Sequence, residues 1–115
     1  MKSGGVDTEF SNKTVVITGA SVGIEKATAL EFAKNGANVC IIDVQAEGLH
    51  RVSAEIKGLR ANVSSFICDV SDEQKVREVI GKIIKQYGNI DVLVNNAGLW
   101  RMWKPQVMNG NREFM

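Results

Sequence analysis

The chain has 115 residues, with 14 Lys plus Arg against 13 Asp plus Glu and a formal net charge of +1. That length suits one domain with one modest core, and a balanced charge without a basic cluster leaves no electrostatic footprint for a nucleic acid or a membrane surface. The opening MKSGGVDTEFSNK lacks the continuous apolar core of a signal peptide, and no later apolar run reaches the roughly 18 residues of a membrane span, so a cytoplasmic chain is expected.

Residues 1–12 are read as an N-terminal extension and 13–99 as the domain. TVVIT (14–18) is the first expected strand. A helix over about Ile24 to Asn35 follows, with Ile24, Ala27, Leu30 and Ala33 three residues apart and Gly36 as a stop. NVCII (38–42) is the second strand; Leu49, Val52 and Ile56 then give a second helix closed by Gly58. NVSSFIC (62–68) is the third strand. In the third helix Ser71 can cap, Gln74 completes a capping box, Val76, Val79, Ile80, Ile83 and Tyr87 form one stripe, and Gly88 ends it.

DVLVN (91–95) is the fourth strand. From Gly98 the pattern fails, and 100–115, with Trp100, Trp103 and the sole proline Pro105, is read as an irregular C-terminal tail whose tryptophans make it sticky and exposed. The strand runs do not alternate cleanly with polar residues, as in parallel sheets covered on both faces. Strand alternates with helix throughout, so the expected class is α/β: a β-α-β-α-β-α-β chain with right-handed crossovers, the first half of a doubly wound sheet. Cys40 and Cys68 each sit inside an apolar run rather than in a C-x-x-C pair, which suits buried residues in a reducing compartment better than metal ligands.

The turn after the first strand is the most informative stretch. Thr18, Gly19, Ala20, Ser21, Val22, Gly23 and Ile24 are small or glycine where backbone N–H groups would approach a pyrophosphate and deliver it to a helix N-terminus. Alone, such a glycine pair is also compatible with an ordinary tight turn. Asp43 ends the second strand about 20 residues beyond Gly23, where an acidic side chain accepts from a ribose 2′-hydroxyl and repels a 2′-phosphate. A merely solvated strand-end aspartate is the competing reading. No Lys or Arg follows until Arg51 and Val22 is not basic, so a bound dinucleotide is expected to be NAD in preference to NADP.

TGASVGI after strand one, Asp43 after strand two, CDVSD after strand three and NNAG after strand four together resemble the short-chain dehydrogenase/reductase family over roughly residues 10–105. The resemblance implies a Rossmann fold, a nicotinamide cofactor, and hydride transfer to or from a carbonyl or alcohol. It implies that Gly19, Ser21, Val22, Gly23 and Ile24 form the diphosphate and adenosine-ribose turn and that Asp43 holds the ribose. It further implies that Asp69 and Val70 flank the adenine, with Asp69 accepting from the exocyclic amine, and that Asn96, Ala97 and Gly98 wall the nicotinamide ribose. Asp69 also reads as a cap for the helix near Ser71, and Asn95 as a structural residue of the central strands.

Two departures from the family pattern stand out. Glu25 occupies a position where family members carry glycine; it suits the helix dipole but crowds the diphosphate. A carboxylate about 4 Å from a phosphate charge costs roughly 1 kcal/mol in water and about 4 kcal/mol at an effective dielectric of about 20, an affinity loss of roughly 5-fold to 1000-fold. The family's Tyr-x-x-x-Lys pair is also missing. The only tyrosine is Tyr87, on the core stripe, and position 91 is Asp91, so no catalytic residue is assigned. His50, on the second helix, reads as solvated.

The expected function is therefore the NAD(H)-binding part of a short-chain dehydrogenase/reductase, without turnover by this chain alone. The alternative is a non-catalytic nucleotide-binding or interaction module whose open fourth-strand edge pairs with itself or with a full-length relative. Neither the substrate nor the oligomeric state is legible.

Overall fold

The computed structural model describes residues 10–20 and 23–94. In chain order the elements are β1 (Thr14–Thr18), α1 (Gly23–Lys34), β2 (Asn38–Asp43), α2 (Ala46–Gly58), β3 (Asn62–Ile67), α3 (Glu73–Tyr87) and β4 (Val92–Val94). The strands form one sheet of order β3-β2-β1-β4, and every pairing is parallel. This is the Rossmann-like α/β architecture expected above. The expected tail over 100–115 lies outside the described residues.

Alternate residues of a strand point to opposite faces, and here each face receives its own helices. Val15, Ile17, Val39 and Ile41 pack with Ala29 and Ala33 of α1 and with Leu49, Val52 and Ile56 of α2. Val16, Cys40 and Ile42 pack with Val76, Val79, Ile80 and Ile83 of α3 and with Ile90. All five residues of β1 are buried, which explains its unbroken apolar run.

That reading fails for β3. Its residues are exposed or half-buried because β2 pairs with only one of its edges and it lies at the margin of the sheet. It stops at Ile67, one residue short of the expected run, although the Cys68 N–H still donates to the Asp43 carbonyl at 3.0 Å.

The apolar stripe expected on α1 is also corrected. A spacing of three falls behind a period of about 3.6, so nine residues from Ile24 to Ala33 span about two and a half turns and end on the opposite face. Ile24 is accordingly 78% exposed while Ala29 and Ala33 are buried. The stripes of α2 and α3 use mixed spacings of three and four, and Leu49, Val52, Ile56, Val76, Val79, Ile80 and Ile83 are all buried.

The cap of α3 is Asp72, not Ser71: Asp72 Oδ1 accepts from the Lys75 N–H at 3.2 Å, while the Ser71 hydroxyl is drawn back to Asp69 Oδ1 at 2.7 Å. Gly88 does end α3 in the left-handed region at φ 88°. On α2 the left-handed residue is Arg60, φ 63°, and Gly58 is still helical.

Two contacts fasten the sheet at its amino end. Asp91 just before β4 receives the Thr14 N–H on Oδ2 at 2.8 Å and donates its own N–H to the Thr14 carbonyl at 2.8 Å, aligning β4 with β1. Phe10 meets Phe32 edge to face at 4.9 Å between ring centroids, tying the segment before β1 to α1. From this packing, Ile41→Ala is expected to lower the unfolding free energy by about 2–5 kcal/mol, whereas Ile67→Ala on the exposed margin shifts it by no more than about 0.5 kcal/mol; urea unfolding measures both.

Candidate cofactor-binding site

Because the strands are parallel, their carboxyl ends share one edge of the sheet. The chain moves outward from β1 to β3, then crosses back through α3 to place β4 on the other side of β1. Strand order reverses between β1 and β4, the kind of switch point at which open α/β sheets leave a crevice for ligands. The turn after β1 begins at that switch point.

Thr18 and Ala20 are fully buried, and Gly19 between them donates its N–H to the Ile42 carbonyl at 2.8 Å. Gly19 (φ 69°) and Gly23 (φ 67°) both adopt the left-handed conformation that glycine takes at little cost. Gly23 begins α1, so the turn delivers the chain to a helix N-terminus, where unpaired N–H groups and the helix dipole favour an anion. Glu25 lies in that first turn, half-buried, with Oε1 4.0 Å from where a Cβ on Gly23 would stand.

On the next strand, Asp43 closes β2 and its Oδ1 accepts from the Gln45 N–H at 3.2 Å, which holds the carboxyl at the strand end. One strand further out, Asp69 follows β3. Its carboxyl is pulled below the usual carboxylate range by the Ser71 backbone N–H and then the Ser71 hydroxyl, both bonded to Oδ1, at 2.9 and 2.7 Å. Val70 packs partly against the α3 cluster. Asp69 does not accept from the first turn of α3; its bonds stabilise the turn leading to the Asp72 cap.

Asp43 at the carboxyl end of β2 thus lines up with Gly19, Gly23 and Ile24 after β1 and with Asp69 and Val70 after β3, all on one edge of adjacent strands. Ser21, Val22, Asn95, Asn96, Ala97 and Gly98 lie outside the described residues. An exposed apolar rim accompanies the polar positions: besides Ile24, Val44 is 54% and Ile67 61% exposed. Val44 was not singled out from sequence; an apolar residue directly after a strand-end aspartate, beside a crevice, was the available signal.

The residues set aside for packing sit elsewhere. Tyr87 closes α3, the end of the helix nearer the amino edge of the sheet; it packs against the α3 cluster and shares a 2.9 Å hydrogen bond with Ser64 Oγ. His50 is exposed on α2. Both cysteines are free and buried. Burial pushes the Cys40 thiol up to about 12, and burial followed by the Asp72 and Asp69 charges raises that of Cys68.

The short chain dehydrogenase family profile matches residues 13–113. The chain belongs to the short-chain dehydrogenase family. It is 45% identical over 92 residues to the 3-oxoacyl-(acyl-carrier-protein) reductase of Thermotoga maritima, covering 80% of this chain and 37% of the relative. Among solved structures it resembles NAD+-bound xylitol dehydrogenase, at 33% identity and a TM-score of 0.76 over 79% of this chain and 35% of that one. It also resembles 7α-hydroxysteroid dehydrogenase complexed with NADH and 7-oxo glycochenodeoxycholic acid, at 37% identity and a TM-score of 0.73 over 77% and 35%. The short-chain dehydrogenase chain therefore spans little more than a third of the length of these relatives, and the matched part holds the Rossmann region. Among its described residues no helix is long and apolar enough to cross a membrane.

The bonds at Asp69 have a titratable consequence. Because its folded pKa lies below the unfolded value, Asp69 contributes its full stabilisation above the ordinary carboxylate range and loses it as pH falls through the folded pKa. Ser71→Ala removes the hydroxyl but keeps the backbone N–H that lowers the Asp69 pKa most, so it is expected to raise the Asp69 titration only part of the way to the ordinary carboxylate range, read by NMR on the side-chain carboxyl carbon.

Proposed function

We propose that this chain is the NAD(H)-binding part of an oxidoreductase that acts on a carbonyl or alcohol by hydride transfer, and that these 115 residues alone bind the dinucleotide without turnover. The observation that carries the reading is the pair of left-handed glycines after β1, Gly19 and Gly23, together with an aspartate at the end of the next strand. The residues present fit the cofactor. Gly19 and Gly23 let backbone N–H groups approach a diphosphate at the start of α1, Asp43 can receive a ribose hydroxyl, and the exposed apolar Val44 and half-buried Val70 can flank an adenine.

In this reading Asp69 accepts from the adenine exocyclic amine. Its exposure and lowered pKa support that role, since the carboxylate stays ionised and acceptor-only across the physiological range. Ser21, Val22 and Ile24 complete the turn, and Asn96, Ala97 and Gly98 stand beside the nicotinamide ribose. The nicotinamide ring, when bound, would give a hydride to a carbonyl or take one from an alcohol. No protein group for the accompanying proton transfer is assigned, because Tyr87 is engaged with Ser64 and has no lysine four residues on.

A preference for NAD over NADP follows from Asp43, whose charge opposes a 2′-phosphate, and from the lack of a nearby arginine or lysine in sequence. Two free, buried cysteines support residence in a reducing compartment, the cytoplasm. A self-pairing role gains some support from β4: Val92, Leu93 and Val94 are apolar, half-buried and hydrogen-bonded only to β1 among the described residues. Sedimentation at tens of micromolar checks that role; a well-behaved monomer removes it.

The main test is a pair of titrations with NADH and NADPH. The chain is expected to bind NADH more tightly, and Asp43→Ser to shrink the ratio of the two affinities by about tenfold, equivalent to about 1.4 kcal/mol. NADH oxidation with carbonyl substrates is expected to remain at the enzyme-free background; a sustained rate contradicts the no-turnover half of the proposal.

A further inference from the structure

The anion-favouring start of α1 is already approached by an anion of the protein's own. Glu25 is the acidic residue of the first turn, half-buried, and its Oε1 lies 4.0 Å from where a Cβ on Gly23, the first residue of the helix, would stand. The neighbouring cation does not neutralise it: Lys26 Nζ is directed to α2, where it pairs with Glu55 Oε2 at 2.9 Å. Among the described residues no Lys, Arg or His makes an ion pair with Glu25.

A carboxylate in the first turn satisfies part of the field of the helix dipole, the same field that would draw a phosphate. The two anions then compete for one electrostatic site, and they repel each other across a short distance.

We propose that Glu25 is the residue that sets the dinucleotide affinity of this turn, acting as a built-in competitor of the ligand diphosphate through its charge. The inference rests on the dinucleotide reading of the turn. It makes the site discriminate by ligand charge: a diphosphate-bearing ligand is penalised, and a nucleoside without phosphates is not.

Calorimetric titration of the 115-residue chain, Glu25→Gln and Glu25→Gly with NADH and with adenosine tests it, with circular dichroism verifying that each variant folds. Glu25→Gln keeps the shape and removes the charge. At low salt it is expected to bind NADH at least about 5-fold more tightly than the parent chain. At about 1 M salt, where the screening length falls to roughly 3 Å, that ratio is expected to contract toward unity. Adenosine is expected to bind all three proteins equally.

Equal NADH affinity for the parent chain and Glu25→Gln overturns the inference and leaves the dinucleotide reading standing. So does a gain seen only in Glu25→Gly, which assigns the effect to bulk rather than charge. Failure of NADH to bind any of the three removes the dinucleotide reading, and the inference with it.

Discussion

The burial of β1 on both faces is the constraint on which the rest of the structure depends. Val15 and Ile17 look toward α1 and α2, Val16 looks toward α3, and all three are fully inaccessible to water. A strand covered on both sides leaves no face for polar side chains, and its backbone groups must be satisfied within the sheet. β2 supplies partners on one side and β4 on the other, both parallel. Parallel neighbours require crossovers, and the crossovers are the helices that cover the two faces.

The same constraint produces the site. Parallel strands end at one edge, so Gly19, Asp43 and Asp69 lie at neighbouring strand ends although they are far apart in sequence. The backbone then refines the edge. The Gly19 N–H holds the turn to the end of β2 through Ile42, and the Cys68 N–H holds the end of β3 to Asp43. What gathers at this edge is a pair of left-handed glycines, a strand-end carboxyl, an exposed carboxyl with a lowered pKa and an apolar rim. In the proposed reading each meets a distinct part of a dinucleotide, and the conformations at Gly19, Gly23, Asp43 and Asp69 are set by glycine or by hydrogen bonds within the chain.

Legibility followed the strength of the physical signal. β1 and β2 were readable because complete burial demands an apolar run, and α2 and α3 because spacings of three and four track a period of about 3.6. α1 was legible only at its end, because three-residue steps drift off one face: Leu30 and Ala33 of the expected stripe do meet the core, Ile24 and Ala27 are exposed, and Ala29 is the contact the stripe missed. Ser71 was a plausible cap in isolation, but Asp69 two residues earlier captures its hydroxyl, a competition that residue types alone do not rank. The apolar letters of β3 concealed its place at the margin, because sequence does not say which strand lies outermost.

For the candidate site, the placement of Gly19, Gly23 and Asp43 at the carboxyl edge was legible because positive φ and strand ends restrict residue choice. Val44 was not, since an exposed valine has no signature until the crevice beside it is known. Glu25 was visible as a departure from the family pattern, yet only the structure shows its Oε1 4.0 Å from the Cβ position of Gly23 while Lys26 pairs with Glu55. The central claim is that a dinucleotide lies along the carboxyl edge of the sheet. Amide chemical-shift mapping with NADH tests it most directly. The largest perturbations should fall at Gly19, Gly23, Ile24, Asp43, Val44, Asp69 and Val70, with Asn38, Asn62 and Tyr87 unmoved; perturbations centred on the latter group, or none at saturating NADH, would contradict the account.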